Sequence, residues 1–292
     1  MFAGLKKRAE LVAGYAFIAP FYVLFLIFSV FPVFYSLFIS FQKWSGFDRP
    51  RWIGAKNYGD LLRDPSLWSA LANTVTIWLG NVFLVVGLGF VMALLLNSRR
   101  LPFRGLFRGF FYLPQAIAVV AISLAFGYIF DKEFGVLNSA LRAFGTPDVP
   151  WLIQKDWARV SVIVVILWRV APWHMLVLLA GLQSIDESLY EAGRIDGASG
   201  WQATTMITMP LLKPMFFYCF LMATIYSFRL FAEPFVITEG GPGDATTTIA
   251  VYMYRSGFEF LKLGYAAAMS FVLLIIILLV SVFQLSFFRS EV

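Results

Sequence analysis

The sequence predicts an all-α polytopic membrane protein: six helices that cross a bilayer, with a patterned polar loop between the fourth and the fifth. Three observations lead there. Of 292 residues, 60% are hydrophobic and 14% charged, and the mean hydropathy is +0.78. Soluble domains run about 45–50% apolar and about 25% charged, and a soluble fold has no interior large enough to hide so much apolar surface. Six stretches are apolar for the roughly 20 residues that a bilayer-crossing helix requires. None of them alternates with the period of two that a barrel strand needs. The net charge of +6 is no nucleic-acid signal, because the Lys and Arg fall in short clusters between apolar spans and form no basic face.

The first span is expected at about 11–36, behind Lys6, Lys7 and Arg8. Its apolar part is far longer than the 7–15 residues of a signal peptide and no A-x-A-like site follows, so it reads as a retained helix. The next loop holds Trp44, Trp52, Tyr58 and Trp68, rings that favour the headgroup layer. Within it, "NYGDLLRDPSLWSAL" suggests a short amphipathic helix lying on the membrane surface. Span two is expected at 71–97 and span three at 107–130, joined by a short link crowded with Arg99, Arg100, Arg104 and Arg108. Trp151 and Trp157 precede span four, at 160–182. The polar loop covers 183–211, span five 212–237 and span six 264–288. Between the last two, "TEGGPGD" is dense turn chemistry and reads as a surface turn. Pro20, Pro32, Pro114, Pro172 and Pro234 lie in or near the spans as tolerated kinks, since neighbouring groups can satisfy the carbonyls they free.

The first link and the N-terminal cluster are the densest basic segments, so the positive-inside rule puts them in the cytoplasm. With six spans both termini are then cytoplasmic, as is the 183–211 loop. The single Cys219 sits in an apolar run and reads as a small hydrophobe; no metal-ligand spacing accompanies it or the single His174, which lies in span four and reads as a packed or interhelical histidine or as a substrate contact.

The polar loop is the most informative stretch. Ser184 stands three before Glu187 and Ser199 three before Gln202, two capping-box spacings that predict helices at about 185–197 and 200–208 with Pro210 as the stop. On the first helix Leu189, Ala192, Gly193, Asp196 and Gly197 fall on one face, small in its middle and flanked by Glu191 and Asp196. A helix gives up about 1 kcal/mol at each glycine relative to alanine. Either another chain approaches closely there, or the glycines pack against this protein's own elements.

The run "EAGRIDGASGWQATTMITMPLLKP" resembles the E-A-A-x-x-D-G-A…I-x-x-P loop of permease subunits in binding-protein-dependent ABC importers. Glu191, Ala192, Asp196, Gly197, Ala198, Ile207 and Pro210 match that pattern, and Gly193 departs from its usual alanine. The resemblance covers nearly the whole chain: "FIAPFYVLFLIFSVFPVFYSLFISF", "WIGAKNYGDLLRDPSLWSALANTV" and "ITEGGPGDATTTIAVYMYRSGF" are similar to the first span and outer loops of the maltose-type, first-subunit permeases. It implies one helical transmembrane domain over 1–292 in a prokaryotic inner membrane. It also implies a second, different permease subunit, a cytoplasmic ATPase dimer and an extracytoplasmic solute-binding protein as partners. The polar loop would be the coupling element, with Leu189, Glu191, Ala192, Gly193, Asp196, Gly197, Ala198 and Pro210 seated against the ATPase. ATP and Mg would be bound by the ATPase, no cofactor by this chain, and the chain itself would not be an enzyme; it has no G-x-x-x-x-G-K-[ST] sequence.

Ionisable residues inside spans default to functional hypotheses. Arg169 is in span four; Arg229 and Glu233 are four apart in span five, where a continuous helix would let them pair. Tyr226, Arg229 and Glu233 are therefore candidates for the solute path or for a structural ion pair, with Gln115, Trp168 and Trp173 beside them. Aromatic faces and amides suit a sugar, and an arginine would also suit glycerol phosphate. A secondary transporter would need more buried carboxylates and repeated halves, and a membrane enzyme a convergent polar cluster; the sequence offers neither.

Overall fold

The computed structural model describes residues 2–98 and 101–289, with side chains for 13–98 and 101–288; Lys6, Lys7, Arg8, Arg99 and Arg100, used above for orientation, lie outside the described side chains. The chain is helical almost throughout. Helix α1 (Phe2–Phe25) runs through a π turn (Leu26–Val30), placed directly before Pro32, into α2 (Phe31–Ser40). A two-residue hairpin, β1 (Gln42–Lys43) with β2 (Arg51–Trp52), and α3 (Lys56–Leu62) follow. Then come α4 (Pro65–Asn97), α5 (Arg104–Ala116), α6 (Val119–Ile129), α7 (Val136–Ala143) and α8 (Lys155–Ser184). The polar loop forms α9 (Glu187–Ile195), α10 (Gly200–Ala203), a π turn (Thr204–Thr208) and α11 (Met209–Leu211). The chain ends with α12 (Lys213–Phe228), α13 (Ala232–Thr238), α14 (Ile249–Tyr254), a π turn (Arg255–Glu259) and α15 (Leu263–Arg289).

Among the described residues, four helical segments are long and apolar enough to cross a membrane: Ala13–Ser40, Pro65–Asn97, Lys155–Ser184 and Leu263–Phe288. Two bent pairs, α5 with α6 at 94° and Gly200–Leu211 with α12 at 70°, raise the number to six if each is one crossing. Spans three and five are thus not the unbroken helices expected at 107–130 and 212–237. In the third, Ile117 and Ala118 are both extended, three residues after Pro114. In the fifth, the helix stops at Phe228 and restarts at Ala232. The carbonyl freed at Leu230 is taken by the Thr248 hydroxyl at 2.6 Å, which is how irregular backbone survives away from water. The surface helix expected from "NYGDLLRDPSLWSAL" is also two elements. Asp64 caps a new helix through Ser66 N–H at 2.9 Å, with Pro65 at its first position.

The chain forms two units, Met1–Arg63 with Met253–Val272, and Asp64–Tyr252 with Leu273–Val292. In the first, the Asn57 amide donates to the carbonyls of Ser40 and Gln42 at 2.8 and 2.9 Å, pinning the hairpin to the end of α2. The second is built on α4 against α8. Gly89 makes that contact possible: a Cβ there would lie 2.8 Å from the Cβ of His174 and 3.1 Å from the carbonyl of Ala171. Small residues at such crossings let backbones approach in the absence of a hydrophobic drive between helices. Val82, Val86, Ala93, Met175, Leu178 and Leu182 fill the interface, and Cys219 of α12 is buried among them as a small apolar residue.

The "TEGGPGD" turn is not a simple surface feature. Asn73 of α4 donates to the carbonyls of Asp244 and Thr247 at 2.6 and 3.2 Å. Arg159 of α8 donates to the Ala245 carbonyl and to Asn73 Oδ1, both at 3.0 Å. Thr246, Thr247 and Thr248 behind it are buried. A turn without side-chain bulk of its own is thereby tied to both long helices of its unit.

Candidate functional site

Two places bring the expected site residues together. The first is a recess of about 170 Å³ lined by Gln115, Arg169, Val170, Trp173, His174, Met222 and Tyr226. Gln115 comes from the end of α5, just before the break, and its Nε2 donates to the Arg169 carbonyl at 2.8 Å. Arg169, Trp173 and His174 are one turn apart on α8, and Met222 and Tyr226 are four apart on α12, so each helix turns one stripe toward the recess.

The ion pair at this site differs from the one expected. Glu233 does not pair with Arg229. The helix breaks between them, Arg229 ends α12 with its side chain exposed, and the four-residue spacing loses its meaning. Glu233 is instead bound by Arg169, whose Nη2 and Nε donate to Oε1 at 3.0 and 3.2 Å. The side chains are 13% and 2% exposed, respectively. The Tyr226 hydroxyl donates to the same oxygen at 2.5 Å and accepts from Arg169 Nη2. The guanidinium also lies over the Tyr226 ring, 5.5 Å from its centroid. A buried pair of this kind adds little to stability relative to apolar packing, but removing one partner costs about 3–5 kcal/mol because the other is left unpaired.

Trp168 points elsewhere. It is 45% exposed and packs on Phe126, with ring centroids 5.3 Å apart. So Gln115, Arg169, Trp173 and Tyr226 line the recess, Glu233 stands behind it, and Trp168 and Arg229 are outside it. His174, read from the sequence as a packed histidine or a substrate contact, joins the lining and is 1% exposed. The signal available in the sequence was its place next to Trp173 and five after Arg169.

The second place is the polar loop. Its first helix starts two residues later than the capping-box spacing suggests: Ser184 closes α8, bonded to the Gly181 carbonyl at 2.8 Å, and Asp186 is the cap, accepting from Ser188 N–H at 2.9 Å. That hydrogen bond holds the exposed Asp186 carboxyl below its ordinary range. The second box is formed as expected, with Gln202 Oε1 on Ser199 N–H at 2.8 Å and Ser199 Oγ on Gln202 N–H at 3.3 Å.

The proposed single face is shorter than expected. Leu189, Glu191, Ala192 and Gly193 lie on α9, whereas Asp196 caps its end and Gly197 follows with φ +79°. Ala198 N–H bonds the Gly193 carbonyl at 2.8 Å and Gly197 N–H the Arg194 carbonyl at 3.1 Å, the Schellman arrangement. Gly197 is therefore required by its backbone. Gly193 is approached closely by a neighbour in the same loop: a Cβ there would lie 3.0 Å from Ile207 Cδ1, the free end of a side chain. Tyr190 and Thr208 hydroxyls, 2.9 Å apart, tie the two halves of the loop. Pro210 does not stop the second helix; it lies exposed inside α11, and the turn follows at Leu212. Ile195, Trp201 and Met206 are 86%, 75% and 73% exposed, a concentration of apolar side chains on an otherwise polar loop.

Long apolar helices with breaks, a buried ion pair beside a recess and a structured polar loop make this a polytopic membrane protein with a candidate path between its helices. The profile of the family described as "Binding-protein-dependent transport system inner membrane component" matches residues 85–290. The chain is 35% identical to the lactose transport system permease protein LacF of Rhizobium radiobacter, over 95% of this chain and 94% of that one. It is 34% identical to the sulfoquinovosyl glycerol transport system permease protein SmoG of Agrobacterium fabrum, over 94% and 89% of the two chains. Among solved structures it matches a bacterial ABC transporter involved in the import of the acidic polysaccharide alginate, with TM-score 0.84 and 26% identity over 97% and 96% of the chains. The chain belongs to the family of binding-protein-dependent transport system inner membrane components.

Proposed function

We propose that this chain is one transmembrane subunit of an ATP-driven importer that carries a sugar, or a related small hydroxylated solute, into a prokaryotic cytoplasm by alternating access. The observation that carries the reading is the recess, where α5, α8 and α12 turn Gln115, Trp173 and Tyr226 toward one space beside a charge pair at membrane depth. Aromatic faces take the C–H surfaces of a sugar ring, and an amide takes its hydroxyls. The carbohydrate names of LacF and SmoG support the solute class.

Each bent pair is one crossing in this reading, which makes six spans with both termini and the polar loop in the cytoplasm. A solute-binding protein delivers from outside, and a second permease completes the path. A cytoplasmic ATPase dimer holds the ATP and Mg. The 187–211 segment is the coupling element: the exposed Ile195, Trp201 and Met206 seat in the ATPase, with Leu189, Glu191 and Ala192 on the adjoining helix face. The Schellman turn and the Tyr190–Thr208 contact make the loop rigid enough to transmit a push into α12 and hence to the recess.

The test is co-purification. The tagged chain, extracted gently from its native membrane, brings an ATPase and a second permease with it. Ile195→Asp and Trp201→Ala, both at exposed positions, lose the ATPase and keep the second permease. A parent chain that emerges alone or as a homo-oligomer contradicts the reading.

A further inference from the structure

We propose that the recess admits neutral, hydroxyl-bearing solutes and discriminates against anionic ones, because Glu233 cancels the one guanidinium that lines it. This rests on the reading of the recess as a solute-contact surface. Family membership leaves the point open, since relatives are named for lactose and for an acidic polysaccharide.

The geometry is specific about which charge is committed. Arg169 spends both Nη2 and Nε on a single oxygen of Glu233. Tyr226 closes the triangle, donating to that same oxygen and accepting from Arg169. The carboxylate is the deeper partner, at 2% exposure against 13% for the guanidinium. The other cation of this stretch, Arg229, is outside the lining. An anion entering the recess meets a guanidinium already neutralised. An anion that reaches the guanidinium N–H groups not turned to Glu233 meets the like charge of that carboxylate close by, and to bind as a full ion pair it must draw Arg169 away and leave Glu233 buried without a countercharge. Such rejection through an unpaired buried charge is a recognised route to specificity.

A neutral solute makes no such demand. Gln115 has committed its Nε2 to the Arg169 carbonyl, which leaves its Oε1 as an acceptor. The ring of Trp173 offers an apolar face, and Tyr226 its edge beside the Arg169 guanidinium. The lining therefore presents a hydrogen-bond acceptor and aromatic surface, with no net positive charge to attract an acid.

The experiment uses the intact importer, purified with its partners but without its binding protein. Equilibrium dialysis compares lactose and maltose with the corresponding uronates, in which one –CH2OH is a carboxylate. The neutral sugars bind the parent at least about tenfold tighter than their uronates. Glu233→Gln frees Arg169 and brings the pair of affinities together or reverses their order. Arg169→Gln/Glu233→Gln, which removes both charges at once and leaves no orphan, holds neutral-sugar affinity within about threefold of the parent. Trp173→Ala weakens both classes of probe.

Equal binding of uronates by the parent overturns the proposal, as does an unchanged preference in a folded Glu233→Gln variant or loss of neutral binding in the double variant. In those cases a Trp173→Ala effect still upholds the recess as the solute surface. If neither probe binds the parent, or Trp173→Ala changes nothing, the recess reading itself fails and the proposal with it.

Discussion

Gly87 and Gly89 lie two residues apart on α4, and the same substitution at the two gives opposite predictions. Alanine is favoured over glycine in a helix interior by about 1 kcal/mol. At Gly87, on the exposed side, an added Cβ meets nothing within 4 Å, so Gly87→Ala stabilises by up to about 1 kcal/mol. At Gly89 the Cβ lands 2.8 Å from His174 Cβ, 3.0 Å from the Met175 nitrogen and 3.1 Å from the Ala171 carbonyl oxygen. None of these is the free end of a side chain that can rotate away. The two long helices must separate, and overpacking of this kind costs about 1–3 kcal/mol. After the helix-propensity gain, Gly89→Ala is destabilised by up to about 2 kcal/mol. Because His174 lines the recess, the same displacement lowers solute affinity, whereas Gly87→Ala leaves it unchanged. Unfolding midpoints in mild detergent, measured side by side, decide it. A Gly89→Ala variant as stable as the parent, or more so, refutes the close-approach account of this interface.

Asn73→Ala removes two hydrogen bonds to the 244–247 backbone and one from Arg159, and it leaves two carbonyls short of partners. At about 1 kcal/mol per neutral bond and 1.5–3 for the charged one, the loss is about 3.5–5 kcal/mol. It is read as a lower unfolding midpoint and faster proteolysis at the 238–248 turn, and parent-like resistance contradicts the tie. The Asp186 cap gives a pH prediction. The Ser188 N–H lowers the folded-state value of its carboxyl, so its contribution is present above the unfolded value and is lost as pH falls through the folded one. Amide protection at the start of α9, corrected for intrinsic exchange, declines on acidification in the parent and stays flat in Asp186→Asn. The same decline in both assigns it elsewhere.

The apolar runs made the spans legible, and the Ser199–Gln202 spacing fixed the second loop helix, because each signal is local. What failed was mainly the choice of partner. The helix breaks at 229–231 ahead of Pro234, which has no N–H for the Leu230 carbonyl and whose ring would clash with it; Thr248, eighteen residues on, takes that carbonyl instead. That break cancels the Arg229–Glu233 spacing and frees Glu233 for Arg169, sixty-four residues away. No periodicity encodes such a partner. The first capping box failed for a different reason. Ser184 and Asp186 are both plausible caps, and the choice between them depends on how far α8 runs on, to Ser184 itself. Gly197 was legible as unusual, but only its φ of +79° separates a backbone requirement from a partner's approach. His174 could be read either as a packed histidine or as a solute contact, because one histidine gives no spacing that separates the two. Its place in the recess follows from the α4–α8 crossing at Gly89.

The central claim, that α8 and α12 carry solute past Trp173 and Tyr226 at the expense of ATP on another subunit, is tested most directly by uptake. The purified importer in proteoliposomes, with its binding protein outside and ATP inside, is assayed for labelled lactose or maltose entry, beside Trp173→Ala. ATP-dependent uptake that the substitution sharply reduces, while ATPase binding is retained, is the predicted result. Uptake that needs no ATP, or that Trp173→Ala leaves at the parent rate, contradicts it.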